Sequence, residues 1–286
     1  MEGWFDPIRW PETDDIKDKK SQVGLRISIF THTLKKYFSL YSPFWWPDSC
    51  SMIDHNDNDE HSMTEAAAEV GMEVSQGSAA NAAAAEERLR ANAWSLLARL
   101  LGASPDEEML SLLAEIDADK VDSDDLIGAA WRMLGAAAGR ASPAELAEEY
   151  HDLFIGVGRG ELVPYGSWYM TGFLMEQPLA RLREELRFLG FERQEGVKEP
   201  EDHAAALCDV MAMINTGDEP ASLEVQAGFF DRHISPWMGR FFRDMQQAPS
   251  ARFYRAVGQL GEQFIEVEKR YLNDFLASPS AKQIVS

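Results

Sequence analysis

Apolar residues recur at intervals of three and four along most of this chain. Leu89, Leu96, Leu97, Leu100 and Leu101 form one such series before Gly102, Leu179, Leu182, Leu186 and Leu189 a second before Gly190, and Leu207, Val210, Met211 and Ile214 a third before Gly217. That spacing lays apolar side chains along one stripe of a helix, and a glycine just past the stripe supplies the left-handed residue on which helices end. From Ala251 to Leu276 the same rhythm carries Phe253, Val257, Leu260, Phe264, Val267, Tyr271 and Phe275. Ser104-Pro105-Asp106-Glu107 and Ser142-Pro143-Ala144-Glu145 each join a capping hydroxyl, a first-turn proline and a capping-box glutamate, which predicts helix starts at both. No alternation of period two competes with these stripes. The expectation is an all-α protein with a single helical domain of roughly nine or more helices over residues 81–286.

Residues 1–80 break the pattern. An aromatic cluster (Phe38, Tyr41, Phe44, Trp45, Trp46) is followed by a polar run from Asp54 to His61, and no periodic apolar series appears between Ile53 and Ala80. We expect a poorly ordered N-terminal extension, with Met63 and Met72 as candidate natural starts. A chain beginning at Met72 should keep its thermal midpoint within error. Loss of cooperative unfolding on that truncation would show instead that the cluster around Trp45 packs on the core.

Composition narrows the function classes. Forty-eight acidic against 27 basic residues give a net charge of −21, a field that repels phosphate backbones and anionic membrane surfaces and favours cationic partners. Nucleic-acid binding is thereby excluded as an expectation. Two cysteines, Cys50 and Cys208, form no disulfide framework, and Cys208 falls within an apolar helical series as a small buried thiol. The segment from Val23 to Trp46 is interrupted by Arg26, His32, Lys35 and Lys36 and closed by Pro43 and Pro47. It lacks the run of about 18 uncharged apolar residues that a membrane span needs, and no small-residue cleavage site follows it. The product is expected to be soluble and cytoplasmic, with no stable membrane insertion.

Three short blocks carry the candidate chemistry. The first is Tyr150-His151-Asp152-Leu153-Phe154-Ile155-Gly156, which leads through a glycine loop to Pro164-Tyr165-Gly166-Ser167-Trp168-Tyr169. Large rings concentrated around one loop offer wide apolar contact with polar edges. Glu199-Pro200-Glu201-Asp202-His203 is the second, and it reads as a helix start: Pro200 at the first helical position, carboxylates at the positive end of the macrodipole, and His203 in the first turn beside Asp202, suited to gripping a polar group on a partner. The third is Phe229-Phe230-Asp231-Arg232-His233-Ile234-Ser235-Pro236-Trp237, where Ser235-Pro236 reads as another start and Trp237 as packing.

The order and spacing of these blocks, from about Ala85 to Leu276, resemble the TorD/DmsD/NarJ family of cytoplasmic chaperones for molybdenum redox enzymes. One departure is visible: many members carry Glu where this chain has Gly166. The resemblance implies a TorD-like helical domain with no catalytic role. It would bind the twin-arginine signal peptide of a molybdopterin-dependent oxidoreductase and hold it for cofactor insertion before export. Such a leader is basic and then apolar, which suits an acidic surface with aromatic rings. On this reading Asp202 holds the arginine-bearing segment and His203 hydrogen-bonds the leader, with Glu199 and Pro200 in the same block. Tyr165 and Trp168 cover the apolar part, joined by Tyr169, Tyr150 and Phe154. The partners implied are the leader and the folded body of the client, with the chaperone a monomer or dimer. The Pro164–Tyr169 variant is reminiscent of members associated with formate dehydrogenases.

Two rival chemistries are weighed on the residues. Glu148-x-x-His151 is half of a carboxylate-bridged di-metal signature, but a full site needs a second copy and two more inward glutamates, and Pro200 stands at the matching offset before His203. No metal is expected. Gly156-Val157-Gly158-Arg159-Gly160 has the glycine spacing of a phosphate loop, yet it follows a helix and lacks the Lys-Ser/Thr finish, so the glycines are expected to serve the turn. No bound cofactor is expected, guanine nucleotide being the one small ligand that the family resemblance suggests. A helical scaffold that binds no leader is the remaining alternative.

Overall fold

The computed structural model describes residues 86–116, 126–157, 159–191, 199–216 and 221–277. The expectations for residues 1–80 and for Cys50 lie outside them. Ten α-helical segments are described, and no β-strand occurs among the described residues. They are α1 (86–102), α2 (Glu107–Ala114), α3 (Leu126–Ala138), α4 (Pro143–Tyr150), α5 (Gly166–Thr171), α6 (Gln177–Phe188), α7 (Ala204–Thr216), α8 (Leu223–His233), α9 (Met238–Gln247) and α10 (Phe253–Ala277). A single π turn, His151–Ile155, prolongs α4.

The 25-residue α10 is the axis of the fold and packs against α3, α8 and α9. Its stripe is the one the spacing predicts: Phe253, Val257, Leu260 and Phe264 are buried, and Val267 and Tyr271 pack at its margin. Close approach to α9 depends on Gly261, where an added Cβ would overlap the Phe242 ring. Trp94 of α1 fills the centre, edge-on to Phe264 at 4.9 Å and to Phe230 at 6.4 Å between ring centroids. The stripes of α1, α6 and α7 face the same core, with Leu97, Leu182 and Met211 each no more than 1% exposed. The Cys208 thiol is buried among them, and that burial pushes its pKa up.

Two buried carboxylates are tied to partners far away in sequence. Arg90 of α1, 3% exposed, places Nε and Nη2 each 2.8 Å from the Glu268 carboxylate of α10, itself 1% exposed, and donates from Nη1 to Gln226 Oε1 of α8 at 2.9 Å. The Trp94 indole N–H joins Glu268 at 3.1 Å. At the other end of α10, the buried Glu149 accepts from the backbone N–H groups of Arg252, Phe253 and Tyr254. A carboxylate far away in sequence thus caps the start of the longest helix.

Helix starts differ from the expected ones in three places. At α2 the N-cap is Asp106, which accepts from Met109 N at 2.8 Å, so Ser104 and Pro105 lie in the preceding loop. Ser142 is the N-cap of α4 as its capping box requires, with its hydroxyl donating to Glu145 at 2.7 Å. Pro236 lies in a turn, and α9 begins two residues later at Met238. The acidic block is the third case.

Candidate functional site

Two connecting segments meet between α4 and α7. After the π turn, Gly156 takes a positive φ of 59° and the chain doubles back. A Cβ on Gly156 would overlap the Arg159 carbonyl, and one on Gly160 would overlap the backbone of Leu153, so these glycines serve a tight reversal. The chain then runs to Tyr165, which forms an isolated antiparallel bridge with His203. Gly166 N donates to Asp202 O at 2.9 Å, and Ala204 N donates to Pro164 O at 2.8 Å. This bridge is what brings the aromatic and acidic blocks together.

The acidic block is not a first helical turn. Its helix, α7, begins at Ala204, and His203 sits at the cap: its carbonyl accepts from Leu207 N at 3.0 Å and its Nδ1 from Ala205 N at 3.1 Å. The reason is the bridge, which holds residues 201–203 out of helical conformation. Asp202 and His203, expected at a surface, are 3% and 5% exposed. Asp202 Oδ2 accepts from Ser167 N at 2.7 Å, at the start of α5. Asp202 Oδ1 is buried too and has no hydrogen-bond partner among the described residues. Burial holds the His203 pKa down to about 4, so the ring is neutral, and it lies edge-on to Tyr165 at 5.1 Å.

The surface left around this bridge is half-buried and mixed. Glu199, Pro200, Glu201, Tyr165 and Trp168 all keep partial exposure. The Tyr165 hydroxyl donates to the Glu199 carboxylate, and burial, then this neighbour, raises the phenol pKa. Glu201 is paired with Arg183 of α6 at 2.8 Å. Arg159 lies over the Trp168 ring at 5.4 Å. Other predicted rings are committed to packing. Tyr150 donates to Leu101 O at 3.1 Å, and with Phe154 it stacks around the buried Tyr254. Tyr169 donates to Asp244 of α9 at 3.0 Å and lies against Trp237 and Phe241.

The third block braces the first two. Arg232 and His233, at the end of α8, both reach Glu185 of α6, with Arg232 Nε and His233 Nε2 each at 2.8 Å. Arg232's hydrogen bonds hold the Glu185 carboxyl below its usual range. Trp237 is 2% exposed, its indole N–H donating to His233 O at 2.7 Å. That indole abuts Gly166: an added Cβ there would lie 3.1 Å from Trp237 Nε1. All three blocks therefore meet at α5. Ser167 links them, and a lone serine between a glycine and a tryptophan carries no pattern in the sequence.

No group of three or more His, Cys, Asp or Glu side chains is placed to hold a metal ion among the described residues. Glu148 and His151 are both exposed, while Glu149 between them turns inward to cap α10. No helix among the described residues is long and apolar enough to cross a membrane.

A family model described as nitrate reductase delta subunit matches residues 122–243, a stretch that contains all three blocks. The chaperone protein TorD of Vibrio cholerae is 28% identical over 141 residues, covering 46% of this chain and 64% of that one. Over these stretches the chain is similar to the TorD chaperones. TorD of Aliivibrio fischeri is 25% identical over 159 residues, 52% of this chain and 74% of that one. This chain thus spans slightly less than two thirds of the Vibrio cholerae relative's length. A solved structure described as a redox enzyme maturation protein of Archaeoglobus fulgidus matches 62% of this chain and 93% of its own, at 18% identity and a TM-score of 0.43. The contact with Trp237 shows what Gly166 allows: the indole sits directly on the α5 backbone.

Proposed function

We propose that this TorD-like chain is a cytoplasmic, non-catalytic chaperone that binds the twin-arginine leader of a molybdopterin-dependent oxidoreductase and holds it until the cofactor is inserted. One observation carries the reading: the Tyr165–His203 bridge sets the acidic block directly beside the rings of the aromatic block. In a chain of net charge −21, that pairing complements a basic segment followed by an apolar one. The partly exposed Glu199 and Glu201 meet the arginines first. Behind them the buried Asp202 supplies a carboxylate oxygen with no hydrogen-bond partner among the described residues, a group whose desolvation cost a ligand donor would offset. His203 acts by position, fixing the start of α7 and the Tyr165 ring. Tyr165 and Trp168 flank the bound peptide, while Tyr150, Phe154 and Tyr169 hold the walls. The Pro164–Tyr169 sequence makes a formate dehydrogenase leader the first client to test.

Calorimetric titration of that leader at two salt concentrations separates the contributions. Asp202→Asn keeps an oxygen for Ser167 N–H but removes the charge. It should weaken binding by about 1–3 kcal/mol and flatten the salt dependence. Trp168→Ala should cost a comparable amount through lost apolar contact, with the salt dependence intact. Variants that melt like the parent and bind like it would place the leader elsewhere. A parent that binds no leader would favour a helical scaffold.

A further inference from the structure

A contiguous exposed apolar surface near the site belongs to none of the three blocks. Between α5 and α6 the chain presents Met170 (42% exposed), Phe173 (68%), Leu174 (48%) and Met175 (72%) within six residues. Contiguous exposed apolar side chains mark contact surfaces, and methionines in particular adapt to varied partners.

This loop is built to present them. Thr171 Oγ1 donates to Ser167 O at 2.8 Å and accepts from Phe173 N at 3.2 Å. The fully buried Ser167 accepts from Met175 N through its hydroxyl at 3.2 Å, while its own N–H is held by Asp202. Gly172 and Met175 both take positive φ, 83° and 59°. Glycine does so freely; methionine does so only under constraint. The backbone thus accepts strain that turns the Met175 side chain outward.

We propose that this Met170–Met175 knuckle receives the apolar segment of the leader, so that the acidic block and the knuckle, coupled through Asp202 and Ser167, read its basic and apolar parts in turn. The inference rests on the leader reading above. Charge selects the occupant. The exposed Glu176 ends the loop, and Glu199 and Glu201 sit on the segment that fixes its base. An apolar stretch flanked by arginines complements that surface. A second copy of this chain, also at −21, would bring like charges together.

Two synthetic peptides test it by fluorescence anisotropy: one with an arginine pair followed by a Leu/Ala stretch, the other with that stretch replaced by Ser/Gly. The parent should bind the first about tenfold or more tightly than the second, the scale set by burying one or two apolar side chains. Phe173→Ser and Met175→Gly should each cut that preference several-fold and leave the second peptide's affinity unchanged. Met175→Gly also relieves the positive φ, so its melting temperature should be no lower than the parent's. Variants that keep the preference, or a parent that shows none, overturn the knuckle while the leader reading stands. A parent that binds neither peptide sinks both. A parental dimer that Met175→Gly dissociates would assign the patch to a second copy and also overturn the proposal.

Discussion

Arg90→Ala is expected to destabilise the domain by about 3–5 kcal/mol, the scale on which breaking a buried ion pair exceeds losing an exposed one. The change strands Glu268, 1% exposed, with only the Trp94 indole N–H as a donor among the contacts it now makes. It also frees Gln226 from one partner and uncovers the Tyr271 ring, over which the guanidinium lies at 4.3 Å. Three helices lose their common tie at once. Replacing the pair together, Arg90→Met with Glu268→Leu, should recover most of the loss, because no charge is then left unpaired in the core. Urea denaturation measures both. A parental midpoint in Arg90→Ala would mean that α1 is not docked through this pair in solution.

The second large effect is a dependence on pH. His203 is neutral when folded because burial holds its pKa near 4, whereas an unfolded histidine titrates near its ordinary value of about 6.5. Between those two values the unfolded chain binds more protons, so this residue's contribution is intact above about 6.5 and is lost as the pH falls toward about 4. The loss amounts to about 3 kcal/mol. Asp209 works the other way: burial pushes its carboxyl up to about 6, so its contribution grows as the pH falls through that value. Glu185, held low, loses its contribution only in the more acidic carboxylate range. His233, which burial also holds down, adds to the His203 loss, while Glu86, which burial pushes up, opposes it with Asp209, so the parent's net slope sums opposing shares. Comparison with His203→Asn, which keeps an acceptor for Ala205 N–H, isolates the His203 share. Denaturation series from about pH 7 to about pH 4.5 should show the variant losing less stability on acidification. Equal losses in the two proteins would remove His203 as the cause.

Much of this protein can be read from its sequence, and the limit is physical. Helical stripes are periodic, so Leu179, Leu182, Leu186 and the Phe253-to-Phe264 series announce both the elements and the faces they bury. Local caps are equally legible where all partners are neighbours, as at Ser142 and Glu145. The three blocks stand out because rings, carboxylates and glycines cluster in them.

Starts that depend on distant partners are not legible. Pro200 and Ser104 look like helix openings, yet the chain enters α7 only after the Tyr165 bridge releases it, and Asp106 rather than Ser104 reaches the α2 donors. Asp202 reads as a surface acid until Ser167, 35 residues earlier in the chain, takes its oxygen indoors. Arg90 and Glu149 pose the same problem: nothing near them in sequence reveals Glu268 or the start of α10. Periodicity and local capping depend on neighbours a few residues apart and so are written along the chain. Where a buried charge finds its partner depends on which helices the core brings together, and only the tertiary structure decides that.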